Sequence, residues 1–106
     1  YIVASSGAVV SSNNITAYSD IRLKKDVKTI ENALDKVTKL RGVEYTRIEN
    51  EEREIGVIAQ EVEALGLPNI TTTRSDGTKA VRYERLIPIL IEAIKELKSQ
   101  VEDLKK

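Results

Sequence analysis

The sequence predicts an α+β fold: a small mixed domain of short strands, two short helices and a long C-terminal helix. Three observations predict it. Apolar residues recur at helical spacing near residues 29–40 and 85–106. Short alternating segments lie between them, separated by turn formers. Charge is divided along the chain: residues 1–18 carry none, whereas beyond Asp20 more than one residue in three is charged.

The uncharged leader, YIVASSGAVVSSNNITAY, holds β-branched groups at Ile2–Val3, Val9–Val10 and Ile15–Thr16 among turn formers. It reads as short strands and turns belonging to the end of an upstream β-structured region, stable beside partner chains. The alternative is a linker. Tyr1 is not an initiator, so the chain is expected to be a C-terminal piece of a longer protein.

Thr29–Leu40 is predicted helical, from Ile30, Ala33, Leu34 and Val37. Thr29 is the expected N-cap, Glu31 suits the first turn, and Lys36, Lys39 and Arg41 suit the last. Gly42 is expected to end it in the left-handed conformation. VEYTRI, residues 43–48, alternates Val43, Tyr45 and Arg47 against Glu44, Thr46 and Ile48, as a strand does. NEEREIG follows as a polar turn. A strand is predicted at Glu54–Ile58, then a short helix Ala59–Leu65 stopped by Gly66 and Pro68. Ile70–Thr73 and Lys79–Tyr83 form a hairpin about Asp76-Gly77.

The last helix runs from about Arg85 to Lys106, with Pro88 tolerable only near its first turn. Ile87, Leu90, Ile94, Leu97, Val101 and Leu104 make a heptad seam, with Ile, Ile and Val at a and Leu at d. It spans under three heptads, so an amphipathic helix lying on its own domain is the competing reading. Association is favoured because the pattern runs to the chain end and Ile91 and Ala93 widen the apolar face. The a and d residue types favour dimers, whereas the wide face suits three or more strands.

Composition narrows the chemistry. The chain has 106 residues, enough for one domain and a modest core. Seventeen basic and seventeen acidic residues give a net charge of zero, which argues against a nucleic-acid or membrane-surface role. No apolar run is long enough to span a membrane, and no signal-peptide pattern is present. Without Cys or His there is no disulfide framework, no Cys/His zinc site and no Ser-His-Asp triad. Neither a metal nor a cofactor is expected. Glu49, Glu51, Glu52 and Glu54 read as a solvated loop rather than an acid/base pair or cation site.

Nucleophilic catalysis would then rest on Ser or Thr with Lys, a carboxylate or a terminal amine as base. Ser19 stands out because it sits at the charge boundary, where a cut would separate two unlike pieces. Lys24 lies five positions on. On a strand the two would occupy opposite faces, with Cα atoms roughly 16 Å apart; on a helix they would lie about 140° apart. A working pair therefore needs a sharp bend after Ser19, or a lysine from another chain. A lysine base near neutral pH also needs its pKa lowered by roughly three units from 10.4, about 4 kcal/mol. Burial is the obvious source, with Arg22 and Lys25 adding like-charge repulsion. Such a site would switch on only after folding or assembly. The bland alternative for SDIRLKKDV is a solvated strand opened by an Asx or Ser turn.

SDIRLKKDV, EIGVIAQEVEALGLP and VRYERLIPILIEAIKELKSQV stand in this order along residues 19–106. Together they resemble the C-terminal intramolecular chaperone domain of phage tailspikes and tail fibres, of the endosialidase type, which the myelin regulatory factor family shares. The resemblance implies a division at residues 1–18, the end of a fibre shaft, and 19–106, the autoprocessing chaperone domain. It implies a homotrimer with the long helix as a central trimeric coiled coil, which guides folding of the upstream shaft and then cuts itself off. The implied cut lies between Tyr18 and Ser19, with Ser19 as nucleophile and Lys24 as general base. Asp20, Arg22, Gln60 and Glu61 belong to the motif blocks; packing or ion pairing is their expected use. The resemblance further implies action in the host cytoplasm during phage assembly, with the chaperone part absent from the mature virion. Two other readings stay open: a non-cleaving trimerisation cap, and an autoprocessing segment of a membrane-bound transcription factor.

Overall fold

The computed structural model describes residues 10–105. The expected strands at Ile2–Val3 and Val9–Val10 fall wholly or partly outside these residues. Ile15–Thr16 is not a strand: residues 10–20 are exposed and join no strand ladder among the described residues.

The observed class is α+β, with two separate two-stranded antiparallel sheets and three α-helices among the described residues. After a 3-10 turn at Ile21–Leu23 comes helix α1, Ala33–Val37. Strands β1, Val43–Thr46, and β2, Arg53–Gly56, pair with Val43 opposite Gly56 and Thr46 opposite Arg53. Helix α2 spans Ala59–Glu63. Strands β3, Thr71–Thr73, and β4, Lys79–Val81, form the second hairpin, with Thr71 opposite Val81. A 3-10 turn at Tyr83–Arg85 leads into helix α3, Leu86–Leu104.

Helix α1 is shorter than its sequence predicts. Asn32 adopts the left-handed conformation, φ 55°, and breaks the chain before Ala33. Thr29 therefore caps nothing. The cap comes instead from α3, where the Glu96 carboxylate accepts from the N–H of Ala33 at 2.8 Å and of Leu34 at 3.1 Å. After Val37, i→i+3 bonds from Lys39 and Leu40 tighten the end. Gly42 is not left-handed, contrary to expectation.

Other termini follow local chemistry. Gly66, φ 73°, ends the α2 region, and its N–H donates to the Glu63 carbonyl at 3.1 Å. The Asp76 carboxylate accepts from Thr78 N–H at 2.9 Å and Thr78 Oγ1 at 2.6 Å, beside Gly77 at φ 87°. This closes the second hairpin as its turn residues predict.

The core consists of Ala33, Val62, Ile70, Ile89 and Ala93, surrounded by Ile30, Leu34, Val37, Leu40, Val57, Leu67, Val81 and Leu86. Helix α3 packs on α1 through Ile89, Ala93 and Glu96, which share a face. Ala93 therefore belongs to the domain's own core and does not widen an association face. The heptad seam is a second stripe, centred about 100° further round the helix. Its exposure ranges from 42% at Val101 to 86% at Leu104.

Candidate active site

No residue of the Ile21–Leu23 turn is buried. Its backbone bonds run from Leu23 N–H to the Asp20 carbonyl, 3.0 Å, and from Lys24 N–H to the Ile21 carbonyl, 3.1 Å. Asp20 is the N-cap, its Oδ1 accepting from Arg22 N–H at 2.8 Å. The Arg22 guanidinium grips the same carboxylate: Nε lies 3.1 Å from both oxygens and Nη2 is 2.7 Å from Oδ2. This grip, aided by the Arg22 N–H, holds the Asp20 carboxyl below its ordinary range.

The turn supplies the bend that the odd spacing requires. Lys24 leaves it in extended conformation, and its Nζ donates to Ser19 Oγ at 2.7 Å. One chain thus brings the two side chains together, although regular elements would keep them apart. Both residues are exposed, as is Tyr18 at 97%.

Beside the pair lies an open cleft of about 410 Å³. Lys24, Val27, Lys28, Thr29 and Ile30 form one wall, and Pro88, Ile91 and Glu92 of α3 the other. Ile91 is half-exposed and continues round α3 towards Ile87 of the seam. Of the cleft's α3 residues, Ile91 therefore borders the seam, whereas Pro88 and Glu92 lie further round the helix. The periodicity of α3 carries this adjacency, but only the fold sets Lys24 against it.

Gln60 and Glu61 lie on α2, and no hydrogen bond or ion pair joins them to Ser19 or Lys24 among the described residues. Gln60 is exposed. Glu61 receives Arg41 Nη2 at 2.6 Å and Nε at 3.1 Å, tying α2 to the segment between α1 and β1. The Arg41 guanidinium lowers the Glu61 pKa. In the acidic loop, Arg47 engages Glu49 at 3.4 Å and Glu54 at 3.8 Å.

Two structural contacts explain motif residues that spacing left without a role. A Cβ at Gly56 would stand 2.6 Å from the Tyr83 hydroxyl, so this strand position admits only glycine without a shift. The same hydroxyl accepts from Val57 N–H at 3.2 Å. Arg82 and Arg85 each donate to the Asn69 carbonyl at 3.0 Å, fastening the start of α3 to the second hairpin.

Comparison with known proteins matches residues 19–72 to a peptidase family described as chaperone of endosialidase. The long tail fiber protein Gp37 of Enterobacteria phage K3 is 41% identical over 104 residues, covering 90% of this chain and 8% of that protein. Gp37 of Salmonella phage S16 is 36% identical over 118 residues, covering 93% of this chain and 16% of that protein. Gp37 of Escherichia phage AR1 is 37% identical over 88 residues, with 74% and 8% covered. The chain spans a small fraction of the length of these relatives.

Proposed function

This chain belongs to the chaperone-of-endosialidase family, and we propose that it is the C-terminal folding aid of a phage tail fibre, which trimerises, guides its shaft and then releases itself by cutting the Tyr18–Ser19 bond. The observation that carries the reading is the 2.7 Å contact between Lys24 Nζ and Ser19 Oγ across a dedicated turn. In this reading residues 1–18 end the shaft and residues 19–106 are the disposable domain. The work takes place in the host cytoplasm during assembly, and the released part is absent from the virion.

The reaction is written with Lys24 as a neutral amine. Lys24 Nζ takes the Ser19 hydroxyl proton as Ser19 Oγ attacks the Tyr18 carbonyl carbon. The C–N bond breaks, and the proton returns from Lys24 to the departing Ser19 nitrogen. An ester now joins the Tyr18 acyl group to Ser19 Oγ. Water adds to it, leaving a carboxylate on Tyr18 and a free amine and hydroxyl on Ser19. Each chain turns over once. The shaft, parted from its folding aid, then unfolds only by a different and slower route.

The openness of the pair fits control by assembly. Excluding water favours the neutral amine, and one chain alone leaves Ser19 and Lys24 exposed. Three α3 helices joined along Ile87, Leu90, Ile94, Leu97, Val101 and Leu104 would cover the seam beside the cleft. The small core of a single chain gives a further reason to associate. The same exposure favours one second reading, a trimerisation cap that never cuts.

Time-resolved denaturing gels and intact mass of the fibre expressed with its shaft separate the two. Autoprocessing yields a chain beginning at Ser19, and Ser19→Ala or Lys24→Ala leaves an uncut trimer. Normal cutting by Lys24→Ala would reject the pair as the machinery. An uncut wild-type trimer would establish the cap.

A further inference from the structure

The least explained feature of the site is the effort spent on one exposed carboxylate. Asp20 follows Ser19 directly, with Cα atoms about 3.8 Å apart, and precedes Lys24 by four positions. A free carboxylate there would compete with Ser19 for the Lys24 ammonium. It does not, because both its oxygens are held by the Arg22 fork at 2.7 and 3.1 Å while Oδ1 also caps the turn at 2.8 Å. Geometry favours Arg22 in this contest, since a planar guanidinium matches a carboxylate with two parallel bonds, whereas an ammonium is a point charge.

We propose that Arg22 is a positioning residue that occupies the Asp20 carboxylate, so that Asp20 can cap the turn without capturing Lys24. This inference rests on the reading of Ser19 and Lys24 as the cutting pair. Arg22 touches neither the scissile bond nor Ser19; it acts through Asp20. Its main-chain N–H and its side chain serve one purpose, to spend the carboxylate's lone pairs within the turn. The other charged groups about Lys24 are Lys25 and Asp26 next along the chain, Lys28 on the same wall of the cleft and Glu92 across it. Glu92 is itself engaged by Lys95 at 3.3 Å.

The idea makes an unusual demand on a pair of substitutions. Arg22→Ala releases Asp20 to pair with Lys24. A negative charge beside an ammonium raises its pKa, so cutting at neutral pH should fall about tenfold and its pH profile should move up by about one unit. Asp20→Asn keeps an oxygen to cap the turn but cannot hold an ammonium as an ion pair; its cutting should stay within about threefold of the parent's. The double variant Asp20→Asn/Arg22→Ala should cut faster than Arg22→Ala alone, with the profile back near wild type. Arg22→Lys should recover part of the rate.

Cutting rates are measured from pH 6 to 9 after synthesis of the fibre with its shaft, and sedimentation confirms that each variant assembles. If the double variant is as slow as Arg22→Ala, or Arg22→Ala shows no pH displacement, Arg22 merely stiffens the turn and the proposal is overturned. Lys24→Ala is run alongside. Its cutting at the normal rate would instead sink the Ser19–Lys24 reading itself, so the two failures are told apart.

Discussion

The carboxylate of Glu96 caps helix α1 at Ala33 from 63 residues further along the chain. Its two oxygens take the N–H groups of Ala33 and Leu34, which a five-residue helix would otherwise leave open at its first turn. The long helix thus does more than pack on α1; it completes it. Glu96→Ala removes both bonds and should cost about 1–2 kcal/mol. At the size of this domain that corresponds to a loss of roughly 5–10 °C in Tm. Glu96→Gln keeps one acceptor oxygen and should lose about half as much. Thermal melting followed by circular dichroism in an uncleaved background checks both. An unchanged Tm for Glu96→Ala would mean that water caps α1 equally well.

How much of this fold could be read in advance depended on whether the deciding contact was local. Gly66 and the Asp76-Gly77 turn announce themselves by residues that act within four positions, and both behave as their types require. Helix α1 starts later than its spacing predicts because Asn32 goes left-handed and the cap is remote; no neighbour of Thr29 carries that information. On α3 the pattern held two apolar stripes, and spacing could not say that Ala93 belongs to the inner one. At the candidate site, spacing established only that Ser19 and Lys24 needed a bend. The Asp20-to-Arg22 pairing that makes the bend is an Asx-type contact two residues long. It was a readable signal, weakened by the many other charges nearby.

The second prediction concerns Gly56. A methyl group there would meet the Tyr83 hydroxyl at 2.6 Å and the Tyr45 ring at 3.4 Å. Gly56→Ala should therefore destabilise the domain by about 1–3 kcal/mol. Tyr83→Phe removes the obstructing oxygen but leaves Val57 N–H without its acceptor. The double variant should be more stable than the sum of the two losses implies, a coupling of about 1 kcal/mol. Denaturant titrations of the four proteins measure it. Simple additivity would show that the hydroxyl is not what excludes a side chain at this position.

Acid should weaken the tie between α2 and the α1–β1 segment. Arg41 lowers the Glu61 pKa from its ordinary 4.5. A carboxyl whose folded pKa is depressed contributes stability that is fully present above its unfolded value. That contribution is lost as pH falls through the folded value. The expected Tm profile is therefore level between pH 8 and about 5, and declines below about pH 4.5. Glu61→Gln should start lower and decline less steeply over the acid limb. Parallel slopes for the two proteins would assign the acid sensitivity to other carboxyls.

The final prediction separates the two stripes of α3. Ile89 is 2% exposed and touches the domain core, so Ile89→Ala should cost about 2–4 kcal/mol and lower the melting temperature of any assembly state. Leu97 is 49% exposed and Ile94 66%, so an aspartate at either position meets water in the lone chain. Leu97→Asp should therefore leave the monomer's circular dichroism intact. In an assembly joined along the seam, the same carboxylate would be forced among apolar side chains and would oppose its own copies. If the parent sediments as the proposed trimer, Leu97→Asp should sediment as monomers, and cutting at Tyr18–Ser19 should cease although Ser19 and Lys24 are untouched. Assembly unaltered by Leu97→Asp would place the interface elsewhere on the domain. Monomers that still cut would show that one chain suffices to activate Lys24.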